Sequence, residues 1–188
     1  MLVWIGIGAG VVVGLVVLIW VGLLLAGLRL PAEHVTQRSM RLNQTPEAIW
    51  LVVTDFTQMP SWNPNVREVE RLADHGGHPV WRETYRNGDM LTLETREAAP
   101  PRRLVRVIVD ENLPFSGSWE IEIESAGVGG RVAVTERSMI ASPLVRVMFR
   151  LFHDPAATVE DYLKALAARF GEPARIEGRA EEAEDDSE

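Results

Sequence analysis

Two glutamates stand where a carboxylate can do chemistry. In the alternating run from Val132 through Val134, Glu136 and Ser138 to Ile140, Glu136 shares strand parity with apolar side chains, and Glu83 lies in the same way between Trp81 and Tyr85. A carboxyl group held among apolar side chains has its pKa raised and can serve as a general acid or base. Glu136 and Glu83 are therefore the candidate catalytic residues. The competing reading is that a bulge reverses the parity, or that strand ends carry both groups into water, since charged side chains are seldom fully buried without a partner. Arg82 and Arg137 could pair with a carboxylate or a ligand headgroup, but the same parity turns them outward, towards surface ion pairs.

Around these carboxylates the sequence offers a set of ligand-binding candidates. Trp62, Trp81 and Trp119 can stack on a flat molecule or can simply be core. Tyr85 and Tyr162 carry hydroxyls that would orient a ligand if buried. Asp55 follows a short helix, where it either lines an entrance or caps the next helix. With Glu136, these residues form the candidate binding set. His75 and His78 bracket two glycines in a turn and lack an evident third ligand, so no metal is expected. Neither a Gly-x-Ser-x-Gly elbow nor a phosphate-binding loop nor a dinucleotide fingerprint is present, and no cofactor is expected.

The elements that must position these residues follow from period and punctuation. Residues 34–42 read as a first strand. Thr45 caps a helix with Pro46 at its first position and Glu47 in its first turn, and the proline-rich segment from Asp55 to Pro64 holds a second short helix and a turn. From Val66 to Ile140 the period is two. Turn signals at His75-Gly76-Gly77, Asn87-Gly88, Pro100-Pro101, Leu113-Pro114 and Gly127 to Gly130 divide it into six antiparallel strands. In one of these, Trp119, Ile121 and Ile123 alternate with glutamates, so the sheet is covered on one face. The cover is a terminal helix bearing Met148, Phe152, Val159, Tyr162, Leu166 and Phe170 at helical spacing. Asp154-Pro155 interrupts it without losing the apolar phase and predicts one kinked helix. Gly171 stops it, and residues 173–188 form an acidic, disordered tail.

The N-terminus is of a different kind. From Leu2 to Leu28 no residue is charged, and a helix of that length reaches about 40 Å, more than the roughly 30 Å of bilayer hydrocarbon. Residues 1–30 are expected to be an uncleaved transmembrane anchor, with Trp4 and Trp20 near its two interfaces. Gly6, Gly10 and Gly14 form a small-residue stripe along which a homodimer could pack. Arg29, Arg38 and Arg41 follow the segment, which puts the domain of residues 31–172 on the cytoplasmic side. With 19 basic against 27 acidic residues the chain carries a formal charge of -8, so nucleic acid is an unfavourable partner, and the absence of cysteine excludes disulfides and thiolate chemistry.

The order strand, two short helices, six antiparallel strands and terminal helix resembles the helix-grip fold. Pro46-Glu47-Ala48-Ile49-Trp50, Asp55 and Trp62-Asn63-Pro64 resemble the opening of the SRPBCC or START-like superfamily, in its polyketide cyclase/dehydrase and lipid-transport branch. Ala99 to Val105, Gly117-Ser118-Trp119, Val134-Thr135-Glu136 and Tyr162 to Leu166 are similar to its later landmarks, over about residues 33–172. The resemblance implies an α+β domain in which a seven-stranded curved antiparallel sheet wraps around a long C-terminal helix, with a cavity for a small hydrophobic or lipid-like molecule. It transfers no catalytic set. Three functions stay open: a membrane-anchored binding or carrier domain, a cyclase or dehydratase using cavity carboxylates, and a protein-interaction domain whose cavity is filled by side chains.

Overall fold

The computed structural model describes residues 2–110, 112–152, 154–178 and 180–181, and the side chains of residues 14–110, 112–152, 154 and 156–178. The chain divides into two compact units, one of residues 1–32 with 140–153, the other of residues 33–139 with 154–188.

The larger unit is an antiparallel sheet with helices on one face. Its strands are β1 (Glu33–Leu42), β2 (Val66–Arg71), β3 (Val80–Tyr85), β4 (Met90–Ala99), β5 (Arg103–Ile108), β6 (Phe115–Ala126) and β7 (Gly129–Ile140), whose last residue falls in the smaller unit. In the sheet they run β2-β3-β4-β5-β6-β7-β1. Register shifts between Val66 and Glu68 and between Thr95 and Glu97 mark bulges, which bend a sheet. Between β1 and β2 lie α2 (Pro46–Thr54), a 3-10 turn (Phe56–Gln58) and α3 (Met59–Trp62). The Thr45 hydroxyl accepts from the Ala48 amide and so satisfies one of the free donors at the start of α2.

The core is built on α5 (Pro155–Arg169), whose Val159, Leu163, Leu166 and Ala167 are fully buried against Met40, Ile49, Val132 and Val134. Its end is closed by backbone bonds from Gly171 to Ala168 and from Glu172 to Ala167, a geometry that needs the positive φ of 70° at Gly171. Beside this core, the buried Arg38 of β1 bonds Glu160 of α5 at 3.1 Å.

Four expectations are corrected here. The terminal helix is two helices, α4 (Pro143–Phe152) and α5, in different units, because Asp154 caps Ala156 with its carboxylate and Pro155 opens a new helix. Phe152 and Met148, placed on the buried stripe by their spacing, are exposed on α4. The sheet also exceeds seven strands. Two short pieces, β8 (Ile176–Glu177) and β9 (Ala180–Glu181), pair with β1, so the segment after Gly171 is not a free tail as far as Glu181, and residues 182–188 lie outside the described ones. Glu172 belongs to the fold as well, since its carboxylate accepts from the Asn43 amide at 2.9 Å.

The smaller unit joins α1 (Leu2–Arg29) to α4. Gly27 is buried against Pro143, and a Cβ there would lie 2.0 Å from the Pro143 carbonyl oxygen, so no side chain fits. The Arg146 guanidinium donates to the carbonyls of Ile140 (2.7 Å), Ala141 (3.0 Å) and Leu30 (3.2 Å), which supplies partners at the end of α1. Among the described residues no helix is long and apolar enough to cross a membrane. The side chains described for α1 begin at Gly14 and thus cover less than the roughly 20 residues a span needs. Of the glycine stripe, Gly6 and Gly10 lie outside those side chains.

Candidate functional site

The larger unit concentrates polar groups on the face that α5 covers. Strand parity in β3 turns Trp81, Glu83 and Tyr85 to the same side, where Glu83 is 3% exposed and both aromatic rings pack on the core. Across the sheet, β5 turns Leu104 and Arg106 to that side, with Arg106 7% exposed. The two charged groups meet in an ion pair between Arg106 Nη1 and Glu83 Oε1. Tyr85 donates its hydroxyl proton to the other carboxylate oxygen, Glu83 Oε2, at 2.9 Å. The guanidinium carbon lies 4.1 Å from the centre of the Phe56 ring, a cation-π contact made out of water.

Aromatic rings enclose this pair. Tyr162 of α5 meets Trp62 and Trp119 edge-on, each with ring centres 5.5 Å apart, and Phe56 meets Trp81 at 5.3 Å. Such contacts fix ring orientation and leave the polar ends to find partners. Several do not. Among the described residues, the buried Arg106 Nε and Nη2, the Tyr162 hydroxyl, the indole nitrogens of Trp62 and Trp81 and Glu136 Oε2 have no hydrogen-bond partner. Buried polar groups in folded proteins are almost always paired, so a cluster of six such atoms calls for an explanation.

Burial sets the protonation of the group. It pushes the Glu136 carboxyl up to about 7, so that the acid form persists to neutral pH. Tyr85 is held well above its ordinary value by burial first, then by the charge and hydrogen bond of Glu83, with Arg106 opposing and Glu136 adding to the rise. Tyr162 is raised by burial against a smaller opposing effect of Arg106. Both tyrosines are neutral donors. The group can thus present several hydrogen-bond donors and one proton that leaves near neutrality.

Of the residues singled out in the sequence, the structure gathers Glu83, Tyr85, Trp81, Trp62, Trp119 and Tyr162 on this face, with Glu136 near enough to act on Tyr85. Asp55 is not among them. It is exposed and caps the 3-10 turn, accepting from the Gln58 amide at 3.3 Å and the Thr57 hydroxyl at 2.6 Å. Arg82 pairs with Glu70 at 3.2 Å on the outer face, and Arg137 is exposed. His75 and His78 close a loop through mutual backbone bonds, and His75 Nδ1 meets Glu94 at 2.8 Å, holding that carboxyl below its usual range with help from Arg96. The residue that sequence reasoning missed is Arg106. It shares parity with Leu104 and Ile108, but Val105 and Val107 make the other face of β5 apolar too, so the alternation that marked Glu83 is missing there.

Residues 33–171 match the family described as polyketide cyclase / dehydrase and lipid transport, and the chain belongs to that family. Solved structures share the fold. A START superfamily protein from Mycobacterium smegmatis superposes with a TM-score of 0.58 at 19% identity, covering 72% of this chain and 96% of its own. The Zhui aromatase/cyclase from Streptomyces sp. R1128 gives 0.60 at 14% identity, over 73% of this chain and 93% of its own. Major latex-like protein 151 from Panax ginseng gives 0.58 at 12% identity, over 74% and 96%. A comparison with curated proteins finds no match.

Proposed function

We propose that the larger unit binds a small amphipathic molecule whose oxygen acceptors meet Arg106, Tyr162 and the two indoles, and that α1 tethers this binding domain to a membrane from the cytoplasmic side. The observation that carries the reading is the set of unpartnered buried atoms: five of the six are donors, and a ligand with carbonyl or carboxylate oxygens would satisfy them. Trp62, Trp81 and Trp119 supply the apolar walls that such a molecule needs. The anchor rests on the uncharged run from Leu2 to Leu28, and its orientation on Arg29, Arg38 and Arg41. A tethered domain stays close to molecules that partition into lipid, which raises their effective concentration.

Native mass spectrometry of the protein purified from its own host tests the reading. A co-purifying small-molecule mass is expected, and it should vanish in the double variant Glu83→Gln, Arg106→Met, which removes the ion pair without stranding either charge. A folded double variant that retains the mass, or a wild-type chain that carries none and binds no oxygen-bearing amphiphile, overturns it.

A second reading has one observation in its favour. Glu136, with its carboxyl near 7 and its Oε2 unpartnered, is suited to deliver or accept a proton, as an aromatase or cyclase of this fold would require. Turnover of a polyketone that follows a pKa near 7, and that Glu136→Gln abolishes while binding persists, would establish it. Binding without turnover leaves the carrier reading standing alone.

A further inference from the structure

Among the described residues, the smaller unit leaves one apolar surface without a partner. On α4, Leu144, Met148, Leu151 and Phe152 recur at helical spacing on one side, and the last three are 55%, 66% and 78% exposed. Val147, at the edge of that side, is buried, and the two charged residues of the helix, Arg146 and Arg150, lie one turn apart off the apolar side. The helix is also held in place. Pro143 sits on Gly27, and Arg146 binds the carbonyl of Leu30 together with those of Ile140 and Ala141, so the start of α4 is fixed to the last turn of α1.

From this arrangement we infer that α4 lies in the bilayer interface, its Met148, Leu151 and Phe152 side inserted among the acyl chains beside the end of α1. The inference rests on the proposed anchoring of α1. Continuity with α1 argues for lipid as the occupant: that helix presents exposed Val21, Leu24, Leu25 and Leu28 up to the point where α4 meets it, so the two apolar surfaces belong to one unit and face one solvent. Short amphipathic helices with basic residues off the apolar side bind such interfaces through buried apolar area. A second copy of the chain fits less well, because one side of a ten-residue helix offers far less than the roughly 800 Å² per partner of a stable interface.

The chain has no cysteine, so single nitroxide labels can be placed without background. The full chain is reconstituted in phosphatidylcholine vesicles with a label at Met148→Cys, Leu151→Cys or Phe152→Cys, and collisions with oxygen and with a water-soluble nickel chelate are compared. Val17→Cys reports on the anchor and Leu51→Cys, 70% exposed on α2 of the larger unit, reports on water. Oxygen should dominate at the three α4 positions and at Val17, with the order reversed at Leu51. Chelate dominance on α4 with oxygen dominance at Val17 overturns the inference and leaves the anchor intact, whereas chelate dominance at Val17 removes the anchor too. Protection of α4 from both reagents, or spin-spin broadening that disappears on dilution with unlabelled chain, would identify a protein partner and likewise overturn it.

Discussion

A carboxyl group that keeps its proton to about pH 7 affects the stability of the domain as well as its chemistry. The folded-state pKa of Glu136 lies above the unfolded one, so between about 4.5 and 7 the folded chain holds a proton that the unfolded chain has released. Stability is therefore greatest below the lower value, falls as pH rises through the upper one and is level beyond it. Each unit is worth about 1.4 kcal/mol, so the loss is at most about 3.5 kcal/mol and smaller to the extent that water reaches the group. Glu136→Gln, which cannot ionise, should be more stable than wild type at pH 8 by about 1 to 3 kcal/mol and equal to it at pH 4. Denaturant melts at the two values check this, and a gap that does not change with pH would mean that Glu136 is solvated. Glu136 and Glu83 were legible in the sequence because each interrupts an apolar alternation. Arg106 was not, because in β5 both faces are largely apolar: Val105 and Val107 flank it as Leu104 and Ile108 do, and parity then says little about which side is the core.

Element order was legible from the same two signals, period and punctuation, since Thr45-Pro46, Asn87-Gly88 and Gly171 each mark a boundary that the structure keeps. What periodicity could not report is the partner of an apolar face. Met148, Phe152, Val159, Tyr162 and Leu166 keep one phase across Asp154-Pro155, yet the first two belong to α4 and are exposed while the last three are buried in α5. A two-residue pairing such as β8 on β1 carries no periodic signal at all. The division of the stripe makes a direct prediction. Leu166→Ala should cost about 2 to 5 kcal/mol, through lost burial and the void it leaves. Lys164→Ala, which gives up only exposed ion pairs with Asp161 and Glu160, should cost less than about 0.5 kcal/mol. Phe152→Ala belongs with the second class, despite its place in the stripe. Urea melts of the three variants decide between one buried helix and two helices with different surroundings, and a loss at Phe152 comparable to that at Leu166 would restore the single kinked helix.

At the scale of the molecule, two compact units imply two separable properties, a fold with its own core and an apolar surface of a different origin. A chain beginning at Ala32 keeps the whole core cluster from Met40 to Ala167, so its near-UV circular dichroism and melting temperature should match those of the larger unit in the full protein. It loses α1, and with it the Gly27 seat of Pro143 and the Leu30 carbonyl that Arg146 binds. The α4 helix then keeps its exposed Met148, Leu151 and Phe152 without the contacts that α1 supplied. Exposed apolar patches of this kind drive association in water. The shortened chain should therefore bind an apolar dye and scatter light in proportion to its concentration while remaining folded. Replacing Met148, Leu151 and Phe152 together by serine should abolish both effects without moving the melting temperature, because none of the three belongs to the core. Dye binding that persists in the triple variant would place the exposed surface in the larger unit, and a shortened chain without fixed tertiary structure would show that the two units do not fold separately.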